Sequence, residues 1–163
     1  MKTAFIAALA VAVLQIAPAF AAPPVKSPLI GHWTLDVDTL PMPPEMRPKR
    51  VDLEFREESD GRWTTRVEII DKNDGRMFTE STLSLDGTPG QASGNYWVDV
   101  LAAKMPAPNV LVMQIVYEGV PRSTRVFSVG ENSKVMTETE TYFKEDATPM
   151  QRTAFFSRVP DAR

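Results

Sequence analysis

Residues that accept positive φ break this chain about every ten positions from residue 31 onward. They are Ser59-Asp60-Gly61, Asn73-Asp74-Gly75, Asp86-Gly87, Glu118-Gly119 and Gly130-Glu131-Asn132. The short segments between them are rich in Val, Ile, Thr, Phe, Tyr and Trp, which suit a pleated surface. The pattern predicts strands over 31–37, 51–57, 62–70, 76–85, 95–102, 110–117, 120–129, 134–143 and 151–159, and no helix. So many short strands expose edges unless the sheet closes on itself. The expected fold class is all-β: an antiparallel up-and-down β-barrel of about 8 to 9 strands, with a β-sandwich as the alternative.

With 163 residues the chain is long enough for one domain with a real core. It has no Cys and a single His, which removes thiolate zinc sites, cysteine nucleophiles, disulfide scaffolds and multi-histidine metal centres. No metal and no cofactor are expected. A net charge of −3 argues against nucleic acid as a partner. Residues 1–21 read as a secretory signal: Lys2, an apolar run from Ala4 to Ile16, and Ala19-Phe20-Ala21 as a small-x-small cleavage site. That run is shorter than the roughly 20 residues that span a bilayer. The mature chain is therefore expected to be exported, to the periplasm or the medium, with no stable membrane span. Residues 22–29, with Pro23, Pro24 and Pro28, form an extended leader, and 30–160 form the barrel domain.

Tight turns fix cross-strand pairing, and successive side chains alternate between faces. A loop at Ser59-Asp60-Gly61 sets Val51, Leu53 and Phe55 against Ile69, Val67 and Thr65, with Asp52, Glu54, Arg66 and Glu68 outside. Met77, Thr79, Ser81 and Leu83 continue that inner surface. A two-residue turn at Glu118-Gly119 pairs Ile115 with Arg122, Met113 with Thr124 and Leu111 with Val126. The next turn carries this face on to Thr137, Thr139 and Thr141, leaving Arg125, Glu138 and Glu140 in solvent. So many inward hydroxyls need water, one another or a ligand, because an unpaired buried hydroxyl costs about 1–3 kcal/mol. A ligand cavity is the expected explanation.

Gly31-His32-Trp33, followed by a long connection and a run of hairpin-linked strands, resembles the Gly-x-Trp opening of the lipocalin and calycin barrels. The overall layout is similar to small exported bacterial lipocalin-like domains, over Ile30 to Val159. The resemblance implies that Trp33 closes the barrel floor, with Leu35 and Val37 inward beside it. It also implies that Arg158, from the last strand, packs over the Trp33 ring. The proline-rich stretch 39–48 would lie over the mouth, where Met42 and Met46 serve as a lid; the alternative is a connector wrapping the barrel.

The expected function is binding of a small apolar or amphiphilic molecule, with an acidic one favoured by Arg122. Leu53, Phe55, Val67, Met113, Ile115 and Tyr117 form the apolar wall, while Arg122, Thr124, Thr139 and Thr141 orient the polar end. The second reading is an envelope interaction or structural module with a filled core. Its outer patch of Val110, Val112, Phe127 and Met136 would meet a second copy or an envelope protein. No catalytic residue is assigned: His32 has no triad around it. An enzyme would be marked instead by an acid pair pointing inward, whereas Glu138 and Glu140 are expected outside, facing Arg125.

Overall fold

The computed structural model describes residues 26–160; the expected signal segment and the leader up to residue 25 lie outside the described residues. The chain forms β1 (Gly31–Leu35), β2 (Arg50–Glu57), β3 (Trp63–Ile70), β4 (Arg76–Leu83), β5 (Gly90–Gln91), β6 (Ser93–Gly94), β7 (Val100–Ala107), β8 (Val110–Tyr117), β9 (Val120–Val129), β10 (Val135–Phe143) and β11 (Pro149–Val159). Two three-residue 3-10 turns are the only helical pieces among the described residues, and none is long or apolar enough to cross a membrane. All eleven strands belong to one antiparallel sheet, in the order β5-β7-β8-β9-β10-β11-β1-β2-β3-β4-β6. The sheet curls into a nearly closed barrel.

The strand count is eleven rather than eight or nine because of the segment between β4 and β7. Its first two-residue strand pairs with β7 and its second with β4, so residues 90–94 cross the gap between the edges of the sheet. The strand expected over 95–102 is displaced: β7 begins at Val100, and Tyr96, Trp97 and Val98 form a loop at one end of the barrel. Aromatic and β-branched side chains there imitate a strand, but they cap the barrel interior instead.

Alternation sorts the first half of the barrel as the sequence predicts. Val51 faces Ile69, Leu53 faces Val67 and Phe55 faces Thr65 across β2 and β3, and Val67 faces Thr79 across β3 and β4. The outer face carries charge ladders, with Arg66 to Glu80 at 2.9 Å and Arg76 to Glu68 at 2.8 Å. Such exposed pairs are worth little individually, but a one-residue slip would carry all of them inside, so they help to fix the register.

In the second half the expected register is overturned. Tyr117 pairs with Val120 and Val116 with Pro121, as a two-residue turn requires, but Ile115 then pairs with Ser123. Arg122 is an extra residue on β9, a β-bulge, and every later residue of β9 changes face. Arg125 and Phe127 therefore point in, and Thr124 and Val126 point out. The pairing Glu140 to Arg125 and Glu138 to Phe127 passes the change on to β10. Thr137 and Thr139 are thus half-buried on the outer face, and Thr141 is exposed.

One end of the barrel is plugged. Leu29, Trp33 and Phe55 are fully buried, and Phe55 contacts the rings of Trp63 and Phe127 at centroid distances of 5.5 Å each. The Trp33 indole N–H donates to the Leu29 carbonyl at 2.8 Å, and the Arg158 guanidinium lies 4.1 Å from the Trp33 ring centroid. Arg158 also donates to the carbonyls of Ser133, Ile30 and Pro28, stitching three chain segments together. Gly31, at φ 125°, passes so close that a Cβ would lie 2.7 Å from that guanidinium. A glycine before the tryptophan is therefore a steric requirement of the plug. Arg158→Leu should cost about 2–4 kcal/mol, from lost charge-assisted hydrogen bonds and a half-buried cation–π contact, read as a lower urea midpoint with an unchanged slope.

Candidate functional site

Above the plug the barrel encloses a cavity of about 410 Å³. Leu53, Val67, Met113 and Ile115 line it, together with Phe127 and Ala154, all projecting from the inner positions of their strands. Trp33 and Phe55 lie in the floor beneath it. Tyr117, Arg122, Thr124, Thr139 and Thr141 do not line it. The bulge turns the three threonines outward, Tyr117 is half-buried at the end of β8, and Arg122, the bulged residue, is exposed at the rim of a second, outer basin.

The outer patch expected for an interface is divided. Val110 and Val112 lie half-buried on the outer face, but Phe127 and Met136 are core residues, 3% and 0% exposed. The same register change removes them from the surface. His32 is exposed on the outer face, 3.7 Å from Glu54.

The long connection 36–49 borders the open end. Leu40, Met46 and Pro48 line the cavity, Met42 packs against the core, and Met46 is exposed on its other side. Arg47 holds this segment in shape, donating to the carbonyls of Met42 and Leu40 and pairing with Asp38 at 3.3 Å. Three interactions from one guanidinium make it a folded rim, with Met46 its most adaptable side chain.

The largest departure from expectation is the charge inside. Arg125 lies between two acids, 3.0 Å from Glu138 and 3.1 Å from Glu140, and Arg152 on β11 engages the other Glu140 oxygen. Glu138 and Glu140 are only 8% and 6% exposed, so the acid pair points inward rather than into solvent. Arg125 and Arg152 border both the 410 Å³ cavity and the outer basin of about 470 Å³, with Tyr96 and Trp97 at the junction. Sequence reasoning assigned these charges outward because it placed no bulge. The available signal was Pro121, since proline inside a strand is confined to edges and bulges.

The two acids differ in their surroundings. Burial raises the pKa of Glu138 above the usual carboxylate range, and Arg125 only partly opposes it. Burial acts on Glu140 in the same sense, but the charges of Arg125 and Arg152 and a Ser123 hydroxyl outweigh it, leaving its pKa lowered. Arg125 is held above its usual value: burial opposes its charge, and the two carboxylates prevail. The cluster is thus a buried, nearly neutral ion group on an otherwise apolar wall. It can engage a polar head of a guest by exchanging one internal partner for an external one.

Among the described residues no three His, Asp or Glu side chains gather as a metal-ion site. Comparison with models of protein families and with curated proteins returned no match to this chain.

The two acids should report opposite pH dependence. Glu140 stabilises the fold above its unfolded pKa and loses that contribution as pH falls through its lower folded value. Glu138 is favourable below its unfolded pKa and loses that contribution as pH rises through its higher folded value. Glu140→Gln should therefore cost about 3 kcal/mol at neutral pH, with the deficit shrinking towards pH 3. The deficit of Glu138→Gln should instead grow as pH falls from the raised pKa of the carboxyl towards its ordinary value. Urea midpoints for both variants and the parent, taken between pH 7 and pH 3, test the pair of signs.

Proposed function

We propose that this chain is an exported, lipocalin-like binding protein that holds a small apolar or amphiphilic molecule inside its barrel. The observation that carries the reading is the cavity of about 410 Å³, plugged at one end, walled mostly by apolar side chains and bordered at its open end by Arg125, Glu138 and Arg152. That volume lies in the ordinary range for ligand pockets, which are mostly apolar with a few placed polar groups. The Gly31-His32-Trp33 opening, the Trp33–Arg158 stack and the single antiparallel barrel sheet support kinship with the lipocalin and calycin barrels. Export rests on the signal-like segment 1–21.

In this mechanism the apolar part of the guest displaces water from the walls at Leu53, Val67, Met113 and Ile115, which favours entry by about 25 cal/mol for each Å² of apolar surface buried. Its polar end remains near Arg125, Glu138 and Arg152. The inward acid pair favours a second reading, an enzyme acting inside the barrel, because one carboxyl is drawn towards its neutral form and the other towards its ionised form. Both acids are engaged by arginines, which makes binding the better-supported reading.

Trp97, 61% exposed at the mouth, provides the assay. Titration with dodecanoate, dodecanol and dodecylamine should shift its emission with at least one of the three, and Trp97→Phe should remove the signal while calorimetric binding persists. Ala154→Phe, which projects a ring into the cavity, should abolish binding and leave the melting temperature within a few degrees. Extraction of the protein purified from envelope fractions, followed by mass spectrometry, should recover the natural guest. Absence of any retained molecule together with no binding of all three probes would overturn the proposal.

A further inference from the structure

Opposite the charged cluster, the inner wall formed by β3 and β4 carries polar groups that the protein leaves without partners. Thr79 and Ser81 are 5% and 4% exposed, and neither hydroxyl makes a hydrogen bond; the Trp63 indole N–H, 2% exposed, is also unpaired. Thr65, 4% exposed, sits directly across from Ser81. Thr65 and Thr79 line the cavity, with Ser81 one inward position closer to the plug. Directly opposed residues on antiparallel strands bring their Cβ atoms to about 5 Å, and diagonal ones to about 7 Å, so one small group can reach all three hydroxyls. Elsewhere the fold satisfies its hydroxyls locally: Thr64 bonds Glu58 and Thr82, and Thr124 bonds Gln114. Orphaned buried hydroxyls are costly enough to be rare, and two neighbours on one cavity wall point to a partner delivered from the cavity.

We propose that the guest carries an oxygen, as a hydroxyl or a carbonyl, on the part that lies deepest in the barrel, and that Thr65, Thr79 and Ser81 hold it. This inference rests on the binding function above and narrows it: the preferred ligand class is an oxygenated chain or ring rather than a plain hydrocarbon tail. Recognition then has two points, a polar head at Arg125, Glu138 and Arg152, and an inner oxygen on β3 and β4. A site built to hydrogen-bond an inner oxygen discriminates against guests lacking it, because its own buried groups then remain unpaired.

Calorimetric titration with dodecanoate and with dodecanoates bearing a hydroxyl or keto group at successive carbons of the distal half tests the inference. At one position, affinity should exceed that of plain dodecanoate by about fivefold or more, the factor expected of one good hydrogen bond. In the Thr79→Val, Ser81→Ala double variant the ratio of the two affinities should fall below about twofold. Thr65→Val provides an independent variant with the same expected loss. Without ligand, Thr79→Val should melt at the parental temperature or slightly above it, since it removes an unpaired hydroxyl without changing shape. A series in which every oxygenated acid binds no better than dodecanoate, or a gain that survives both sets of variants, would overturn the inference and leave the binding function standing. No binding by any member would overturn this inference, and the binding function with it where dodecanol and dodecylamine also fail to bind and no molecule is retained on purification.

Discussion

Strict alternation of side chains governs this barrel, and one extra residue decides what its interior contains. Arg122 is the residue by which β9 exceeds its partner, and the shift sends Arg125, Phe127, Glu138 and Glu140 inward together. Three charged groups enter an apolar space in one step. They are tolerable because the same register brings them together: Glu140 lies across from Arg125 on one side and from Arg152 on the other. Removing these ions from water costs several kcal/mol each, and only mutual pairing offsets the loss.

The two ends of the barrel follow different physics. The plugged end is aromatic and buried, with Trp33 fully enclosed, Phe55 in contact with Trp63 and Phe127, and one arginine satisfying three carbonyls. The open end is edged by the Arg47-bound connection, the Tyr96–Trp97 pair and the ion group. Rigidity thus resides where nothing enters, and adaptable or exchangeable groups lie where a guest would pass.

Much of this was legible in the sequence, for reasons that also explain the failures. The loop at Ser59-Asp60-Gly61 closes without irregularity, so counting outward from it places Leu53, Val67, Thr65 and Thr79 on the inner face. The turn at Glu118-Gly119 is equally clear, with φ of 52° and 74°, yet counting from it fails within five residues. Periodicity cannot register a single inserted residue; only Pro121 hinted at it. Tyr96, Trp97 and Val98 misled in another way: their composition suits a strand, while their position demands a cap. The Trp33–Arg158 stack joins residues 125 positions apart, so neither spacing nor pattern pointed to it, and only likeness to a known barrel did.

The seam between β4 and β7 gives the barrel a preferred line of weakness. The two edges meet mainly through residues 90–94, which make two residue pairs with each, whereas neighbouring staves elsewhere are joined along most of their length. Loosening there would part the wall lengthwise. The circumference can therefore relax in one place, as a cuff does at its button, and the volume inside need not be fixed by the resting shape alone.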